Sequence, residues 1–356
     1  MSKKKRKVSL NGVKYITDEG VIHIDKQVHT LHDLIDLAYY YKPNKKYNIN
    51  LKKLYEIRHS LIDLNEMVGL ENVKTNVVKQ ILYFIQDLHH DNDEMMHIVI
   101  QGSPGVGKTM LGNILGQIYY DLDIIKQPFY NNFNNDNYVK FRCVKRSDLI
   151  GKYLGWTAQK TQDVIDSCLG GVMFIDEAYS LGNSNNSDSF SKECIDTINQ
   201  NLTERKGQFL CIIAGYEKDL NECFFNYNAG LKRRFPFVYT IKPYTSFELK
   251  QIFEKLISQK KDNWNMIDIK DTDSNMFFRK NEKLFINMAG DMETLLFYTK
   301  LAHSKRIFCK HHSLTRRLNM MDLENGLISM QEHRNSIKNE YESLSLDNEK
   351  MCSMYM

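Results

Sequence analysis

The sequence has 356 residues, enough for one large domain with appendages or for two domains of ordinary size. Its composition, 42% hydrophobic and 26% charged, is typical of a soluble globular protein, and no apolar run is long enough to cross a bilayer. The formal net charge is +4, of which the run Lys3–Lys7 supplies five positive charges, so the remainder lacks the global basic excess of a nucleic-acid-binding protein. Seven dispersed cysteines without a CxxC pair exclude the common zinc-binding spacings.

The N-terminus carries the basic run Lys3–Lys7 followed by Val8. It resembles a nuclear localisation signal, and a solvated disordered tail and a cloned-on tag are the alternatives. We therefore expect an intracellular soluble protein, in the cytoplasm or the nucleus, with a basic disordered tail over residues 1–9. Residues 10–64 form a small N-terminal region, with β-like pieces at 13–16 and 21–24 followed by two helical patterns that begin at Leu31 and Leu51.

Strand-like and helix-like patterns alternate from residue 65 to residue 243. The alternation predicts an α/β domain with a parallel sheet and helices on both faces. After Pro243 the pattern predicts a small, mainly helical domain over residues 244–334, followed by a flexible tail over 335–356. The predicted strands are 97–100, 139–144, 172–175, 209–214 and 237–241, and the predicted helices are 72–90, 109–120, 158–169, 190–204, 246–258, 281–288, 291–308 and 321–333.

A glycine-rich segment lies between a predicted strand and a predicted helix. Its glycines allow the backbone N–H groups to surround a phosphate, Lys108 places a cation on the β- and γ-phosphates, and the Thr109 hydroxyl is a ligand for Mg²⁺. The start of the following helix favours an anion. This pattern predicts that ATP and Mg²⁺ are bound by Gly102, Ser103, Pro104, Gly105, Val106, Gly107, Lys108, Thr109 and Met110.

Two carboxylates, Asp176 and Glu177, directly follow the apolar segment Val172–Ile175. Ligands of open α/β sheets bind at the carboxyl ends of the strands, where this pair is expected. Asp176 is predicted to join Thr109 at the Mg²⁺ ion, and Glu177 to orient and polarise the attacking water. The pair therefore predicts hydrolysis of ATP as well as binding.

Several stretches make the chain resemble an AAA+ ATPase of the CbbX/SpoVK-type subgroup. They are residues 64–71, the pore-loop-like stretch 148–161, the Walker B form at 174–179, and the later motifs at 213–216 and 228–235. The resemblance runs from about residue 64 to residue 334. The stretch Gly290–Thr294 adds a weaker likeness to AAA+ ATPases of large DNA viruses.

The resemblance implies roles for individual residues. Val68 and Gly69 belong to a segment that contacts adenine in the family. Arg234 is implied to reach the γ-phosphate of a neighbouring subunit as an arginine finger, with Arg233 as its neighbour or substitute. Such a finger requires a homo-oligomeric ring, a hexamer in this family. Tyr153 and Leu154 match the pore-loop residues that grip an extended client polypeptide.

Two positions depart from the family pattern. Many AAA+ proteins have a polar asparagine, sensor 1, after the strand at 209–214, and the nearest match here is Tyr216. Where relatives carry the sensor 2 arginine of the helical lid, this chain has Asp291, Glu293 and Leu296. Tyr216 is usual for the subgroup that the chain resembles, whereas the missing lid arginine implies slow hydrolysis or a different signal for lid closure.

The sequence favours an ATP-driven remodelling enzyme, a hydrolase that acts on an unidentified client protein. Two alternatives remain: an AAA+ motor acting on nucleic acid, and a nucleotide-dependent scaffold with slow turnover. No membrane partner is expected.

Overall fold

The structure, a computed structural model, describes residues 7–10, 13–18, 21–89, 94–125, 141–153, 155–183, 188–228, 230–258, 263–267 and 270–354, with side chains from 21 to 339. Strands are Lys7–Leu10 (β1), Val13–Asp18 (β2), Val21–Asp25 (β3), Lys46–Tyr47 (β4), Ile98–Gly102 (β5), Phe141–Val144 (β6), Val172–Ile175 (β7), Leu210–Gly215 (β8), Phe237–Ile241 (β9), Asn265–Met266 (β10) and Arg317–Leu318 (β11). Helices are Leu31–Ala38 (α1), Leu51–Glu56 (α2), Arg58–Glu66 (α3), Glu71–Ile85 (α4), Lys108–Asp121 (α5), Arg146–Leu149 (α6), Trp156–Ser167 (α7), Ser189–Glu204 (α8), Glu217–Cys223 (α9), Ser246–Ser258 (α10), Asp271–Asn281 (α11), Met288–Ile307 (α12) and Met320–Met354 (α13).

A five-stranded parallel sheet forms the centre of the first unit, as the sequence predicted. Its strand order is β6-β7-β8-β5-β9. All four residues of β7 and all six of β8 are buried, as expected for strands with both faces covered. Because the strands are parallel, the residues that follow β5, β7 and β8 meet at one edge of the sheet.

Helix α5 packs closely on this sheet because it carries a glycine at the contact. A Cβ atom at Gly112 would lie 2.3 Å from the Phe174 ring of β7. Phe174 in turn stacks on Phe141 of β6, with ring centroids 5.7 Å apart. The close approach fixes the start of α5, and hence Lys108, against the sheet edge.

The chain divides into two compact units. The first comprises residues 1–103 and 107–242, and the second comprises 104–106 and 243–356. Residues 7–64 therefore belong to the same unit as the central sheet. The second unit begins at Pro243, one residue before the start expected for the helical domain.

The N-terminal region differs in detail from the sequence prediction. Lys7–Leu10 forms a strand that pairs antiparallel with β2, so the expected tail over residues 1–9 is wrong for residues 7–9, and residues 1–6 lie outside the described residues. The second predicted helix is divided at Ile57 into α2 and α3.

Two predictions for the second unit are wrong. Within the helix predicted at 281–288, residues 282–287 form a 3-10 turn, Glu282–Leu284, and a loop, and a helix that was not predicted lies at Asp271–Asn281. That helix is mostly polar and buries few side chains, chiefly Phe277 and Phe278, so it shows little helical periodicity. The tail expected at 335–356 is helical to Met354, because no Gly or Pro interrupts the sequence after Gly326. Among the described helices, none has the length and apolarity needed to cross a bilayer.

His97 gives the first unit a pH-dependent stability. It is buried between Phe209 and Phe235, its Nδ1 accepts a hydrogen bond from the Cys211 backbone N–H (3.1 Å), and burial lowers its pKa to about 4. Between pH 6.5 and 4 the unfolded chain binds the proton and the folded chain does not, so stability falls as the pH falls through this window. We expect His97 to cost about 2 kcal/mol of stability between pH 7.5 and pH 5.

This prediction is checked by urea denaturation at pH 7.5 and pH 5, followed by circular dichroism. The variant His97→Asn retains an acceptor for the Cys211 N–H but does not titrate in this range. Its stability should therefore fall less with acid than that of the wild type, by about 2 kcal/mol. Equal pH dependence of the two proteins would contradict the assignment.

Candidate nucleotide site

The glycine-rich loop connects β5 to α5 at the carboxyl edge of the sheet. Gly102 ends β5, Lys108 begins α5, and both Gly105 (φ +67°) and Gly107 (φ +87°) adopt the left-handed conformation that favours glycine. The strand, tight loop and helix thus occur in the order that phosphate binding requires.

Lys108 is half-buried beneath this loop. Its Nζ donates hydrogen bonds to the carbonyl oxygens of Gly102 (3.0 Å) and Ser103 (2.8 Å). Burial lowers the pKa of Lys108, while the carboxylates of Asp176 and Glu177 oppose this effect by favouring the ammonium form. The cation is therefore held inside the turn of the loop, facing the two acidic residues.

The two carboxylates after β7 lie where the sequence predicted them, next to the glycine-rich loop. The Thr109 hydroxyl donates to Asp176 Oδ2 at 2.6 Å, and the Glu177 backbone N–H donates to Asp176 Oδ1 at 3.0 Å. Glu177 has φ +51° and is exposed, so its carboxylate faces solvent rather than the sheet. A hydroxyl and a carboxylate in contact are hard oxygen donors of the kind that Mg²⁺ prefers, so these residues fit a magnesium site.

The tip of the glycine-rich loop, residues 104–106, belongs to the second compact unit. The Ala289 N–H donates to the Gly105 carbonyl (3.1 Å), and the Tyr244 hydroxyl donates to the carbonyl of the fully buried Val106 (3.0 Å). Pro104 belongs to the same short segment. Met110, in the first turn of α5, is 52% exposed.

Val68 and Gly69 lie in the turn between α3 and α4. Gly69 and Leu70 both have positive φ, and the Lys74 ammonium donates to the Met67 carbonyl at 2.7 Å. The turn is therefore fixed in shape by backbone conformation and by one lysine.

The two arginines predicted as fingers differ in their surroundings. Arg234 donates from Nε to Thr203 Oγ1 and from Nη1 to the Gly230 carbonyl, both at 2.7 Å. Arg233 is exposed and makes no hydrogen bond or ion pair within the part of the chain that the structure describes. The Arg234 guanidinium is thus oriented by Thr203 and Gly230 of the same chain, whereas the Arg233 guanidinium has no such partner among the described residues.

The predicted client loop exposes two aromatic side chains. Tyr153 is 64% exposed and Trp156 is 63% exposed, and their rings meet edge to face at 5.4 Å. Hydrogen bonds from Lys160 and Thr161 to loop carbonyls hold the base of this loop on α7. Leu154 lies outside the described residues. Trp156 was not singled out from the sequence, because the sequence does not show that this tryptophan is exposed.

The sequence did not predict two sets of contacts near Glu177, those of Tyr179 and those of Arg146. Tyr179 stacks on Tyr216, with ring centroids 5.3 Å apart and an interplanar angle of 23°. Arg146, which precedes the loop that carries Tyr153, donates to the Ser180 carbonyl (2.6 Å) and to Asp188 Oδ2 (2.9 Å). The turn that follows Glu177 is therefore connected to the base of the client loop.

Of the two acidic residues at the expected sensor 2 position, Asp291 contacts other residues of the second unit and Glu293 is exposed. Asp291 is buried, pairs with Arg334 and accepts hydrogen bonds from Asn287. Arg306, near the end of α12, donates from Nε and Nη2 to both carboxylate oxygens of the buried Asp322. Its guanidinium is thus committed to α13.

Comparisons with known proteins agree with this geometry. Residues 98–222 match the model of the family "ATPase family associated with various cellular activities (AAA)". A cfxQ-like protein of Acanthamoeba polyphaga mimivirus is 42% identical over 83% of this chain and 71% of its own length. Stage V sporulation protein K of Bacillus subtilis is 29% identical over 58% of this chain and 63% of its own length.

Among solved structures, the FIGL-1 AAA domain in complex with ADP has the same fold. Its TM-score is 0.50 at 19% identity, over 74% of this chain and 83% of that one. The family match, the viral relative and the meeting of the loop with Asp176 bear out the resemblance stated from the sequence. The chain belongs to the AAA+ ATPases, in the CbbX/SpoVK-type subgroup.

Proposed function

We propose that the protein is an ATP-driven remodelling enzyme that works as a homo-oligomeric ring on a client polypeptide. The observation that carries the catalytic part is the contact between Thr109 and Asp176, which brings the glycine-rich loop and the carboxylates after β7 together. The exposed pair of Tyr153 and Trp156 supports the action on a polypeptide.

The chemistry follows from the positions of these groups. The loop N–H groups and the Lys108 ammonium would bind and orient the phosphates. Thr109 and Asp176 would hold Mg²⁺, which neutralises charge on the phosphate oxygens when it is bound. Glu177, exposed beside this site, would accept a hydrogen bond from the attacking water and align it with the γ-phosphate.

A ring follows from the arginine finger. Arg234 would act on nucleotide held by a neighbouring subunit, since a planar guanidinium stabilises the charge that develops in phosphoryl transfer. Because this contact is head-to-tail, a closed ring would complete every site, and we propose a hexamer. Mass photometry with and without ATP tests this, and a protein that stays monomeric with ATP would exclude the ring.

The client surface is tested with an unfolded polypeptide. The chain has two tryptophans, so the variant Trp264→Phe leaves Trp156 as the sole tryptophan reporter. We expect its emission to shift to shorter wavelength when an unfolded polypeptide without tryptophan is added with ATP in the Glu177→Gln background, because the indole group of Trp156 loses contact with water. Tyr153→Ala should weaken this binding about tenfold, since exposed aromatic anchors dominate peptide contacts.

Tyr39→Ala is the matched control for this experiment. Tyr39 is 61% exposed, close to the exposure of Tyr153, but lies in the N-terminal part of the first unit. The Tyr39→Ala variant should leave binding of the same polypeptide unchanged. Equal affinities for the wild type and Tyr153→Ala would exclude this loop as the client contact.

A further inference from the structure

The aromatic pair formed by Tyr179 and Tyr216 lies directly beside the phosphate-binding lysine. Tyr216 follows β8, and Tyr179 lies in the 3-10 turn Ala178–Leu181 after Glu177. Because β7 and β8 are neighbouring parallel strands, both tyrosines lie at the edge where β5 delivers the glycine-rich loop. The Lys108 Nζ is 4.6 Å from the centre of the Tyr216 ring.

The geometry points to Tyr216 as a positioning residue that holds the Lys108 ammonium through the face of its ring. This inference rests on the proposed ATPase site and adds a role at the position where many family members carry a polar sensor. An ammonium within about 6 Å of an aromatic face is attracted by the electron density of that face. Lys108 is half-buried and loses part of its hydration, so the attraction is stronger than at an exposed site.

The structure also explains why the Tyr216 ring keeps this orientation. Tyr179 stacks on the ring at an interplanar angle of 23°. The approach depends on Gly215, because a Cβ atom there would lie 2.9 Å from both Tyr179 Cδ1 and Leu220 Cγ. Burial and the neighbouring Glu177 carboxylate raise the pKa of Tyr179, so its hydroxyl stays neutral at physiological pH and adds no charge beside Lys108.

Lys108 needs such a support because of its other partners. Its ammonium donates to the Gly102 and Ser103 carbonyls, and binding of a phosphate requires it to exchange them for phosphate oxygens. The Tyr216 face imposes no directional hydrogen bond, so it attracts the ammonium throughout this exchange. The ring therefore limits the freedom of Lys108 without competing for its protons.

The test measures the affinity for ATP with a fluorescent ATP analogue and Mg²⁺, which does not require turnover. Tyr216→Phe retains the ring face and should bind within about twofold of the wild type, whereas Tyr216→Leu should bind about three- to tenfold more weakly. In the Lys108→Met background, Tyr216→Leu should have no further effect, because its partner is absent. Should Tyr216→Leu fail to fold by circular dichroism, Tyr216→Met takes its place.

The inference is overturned if Tyr216→Phe weakens binding as much as Tyr216→Leu, which would indicate a role of the hydroxyl. It is also overturned if Tyr216→Leu has the same effect with and without Lys108, which would indicate a merely structural role. A wild type that binds ATP but does not hydrolyse it would contradict the proposed function. The role of Tyr216 would still be tested, because the affinity for ATP is measured without turnover.

Discussion

Replacing Glu177 with Gln is expected to lower the turnover of ATP by roughly 100- to 1000-fold while leaving ATP binding almost unchanged. The substitution keeps the size of the side chain, which is exposed beside Asp176. Only its ability to accept a proton or a strong hydrogen bond from water is lost. The change therefore acts on the chemical step, and the measurement is steady-state phosphate release together with equilibrium binding of a fluorescent ATP analogue.

Glu217→Gln is the matched control for this substitution. Glu217 is also exposed and begins α9, which follows β8 at the same edge of the sheet. It should leave turnover within about twofold of the wild type. If Glu177→Gln retains most of the turnover, Glu177 is not the residue that activates water.

Arg234→Ala is expected to lower turnover by about 1000-fold or more, with little change in the affinity for ATP. The reason is that the guanidinium would act in the transition state on nucleotide bound by another subunit. Arg234→Lys should restore little activity, because the ammonium of lysine lacks the planar pair of donors. Phosphate release at several protein concentrations provides the measurement.

Arg233→Ala separates the two arginines. Arg233 is exposed without a described partner, while Arg234 is oriented by Thr203 and Gly230. A finger acts best when it is held in place, so Arg233→Ala should have the smaller effect. The reverse order would assign the finger to Arg233 and make Arg234 a positioning residue.

The sequence predicted the central sheet well because its strands are parallel and buried. Val172–Ile175 and Phe237–Ile241 have the predicted bounds, and β5 and β8 differ from the prediction by one or two residues at each end. Strand β6 ends at Val144 as predicted, and residues 139–140 lie outside the described residues. Short apolar runs between polar loops are readily identified from the sequence as buried strands. Helix α11 was missed because its few buried side chains form no repeating pattern, and tertiary packing rather than periodicity selects it.

The nucleotide site was predictable only where its residues form a local motif. Residues 102–109 and Asp176–Glu177 are recognised from spacing, and Thr109 then meets Asp176 in the structure. The stacking of Tyr179 on Tyr216 depends on β7 and β8 being neighbours in the sheet, which no local pattern encodes. The same holds for Arg146, whose partners Ser180 and Asp188 lie more than 30 residues away.

We propose that one site for ATP hydrolysis is built from two subunits, and mixing two inactive variants tests this shared site most directly. Arg234→Ala keeps Glu177, and Glu177→Gln keeps Arg234, so a mixed ring contains sites with one intact residue from each neighbour. In an equal mixture about one quarter of the sites should be complete, and phosphate release should rise far above that of either variant alone. A mixture that forms mixed rings yet stays as inactive as its components would contradict the shared site.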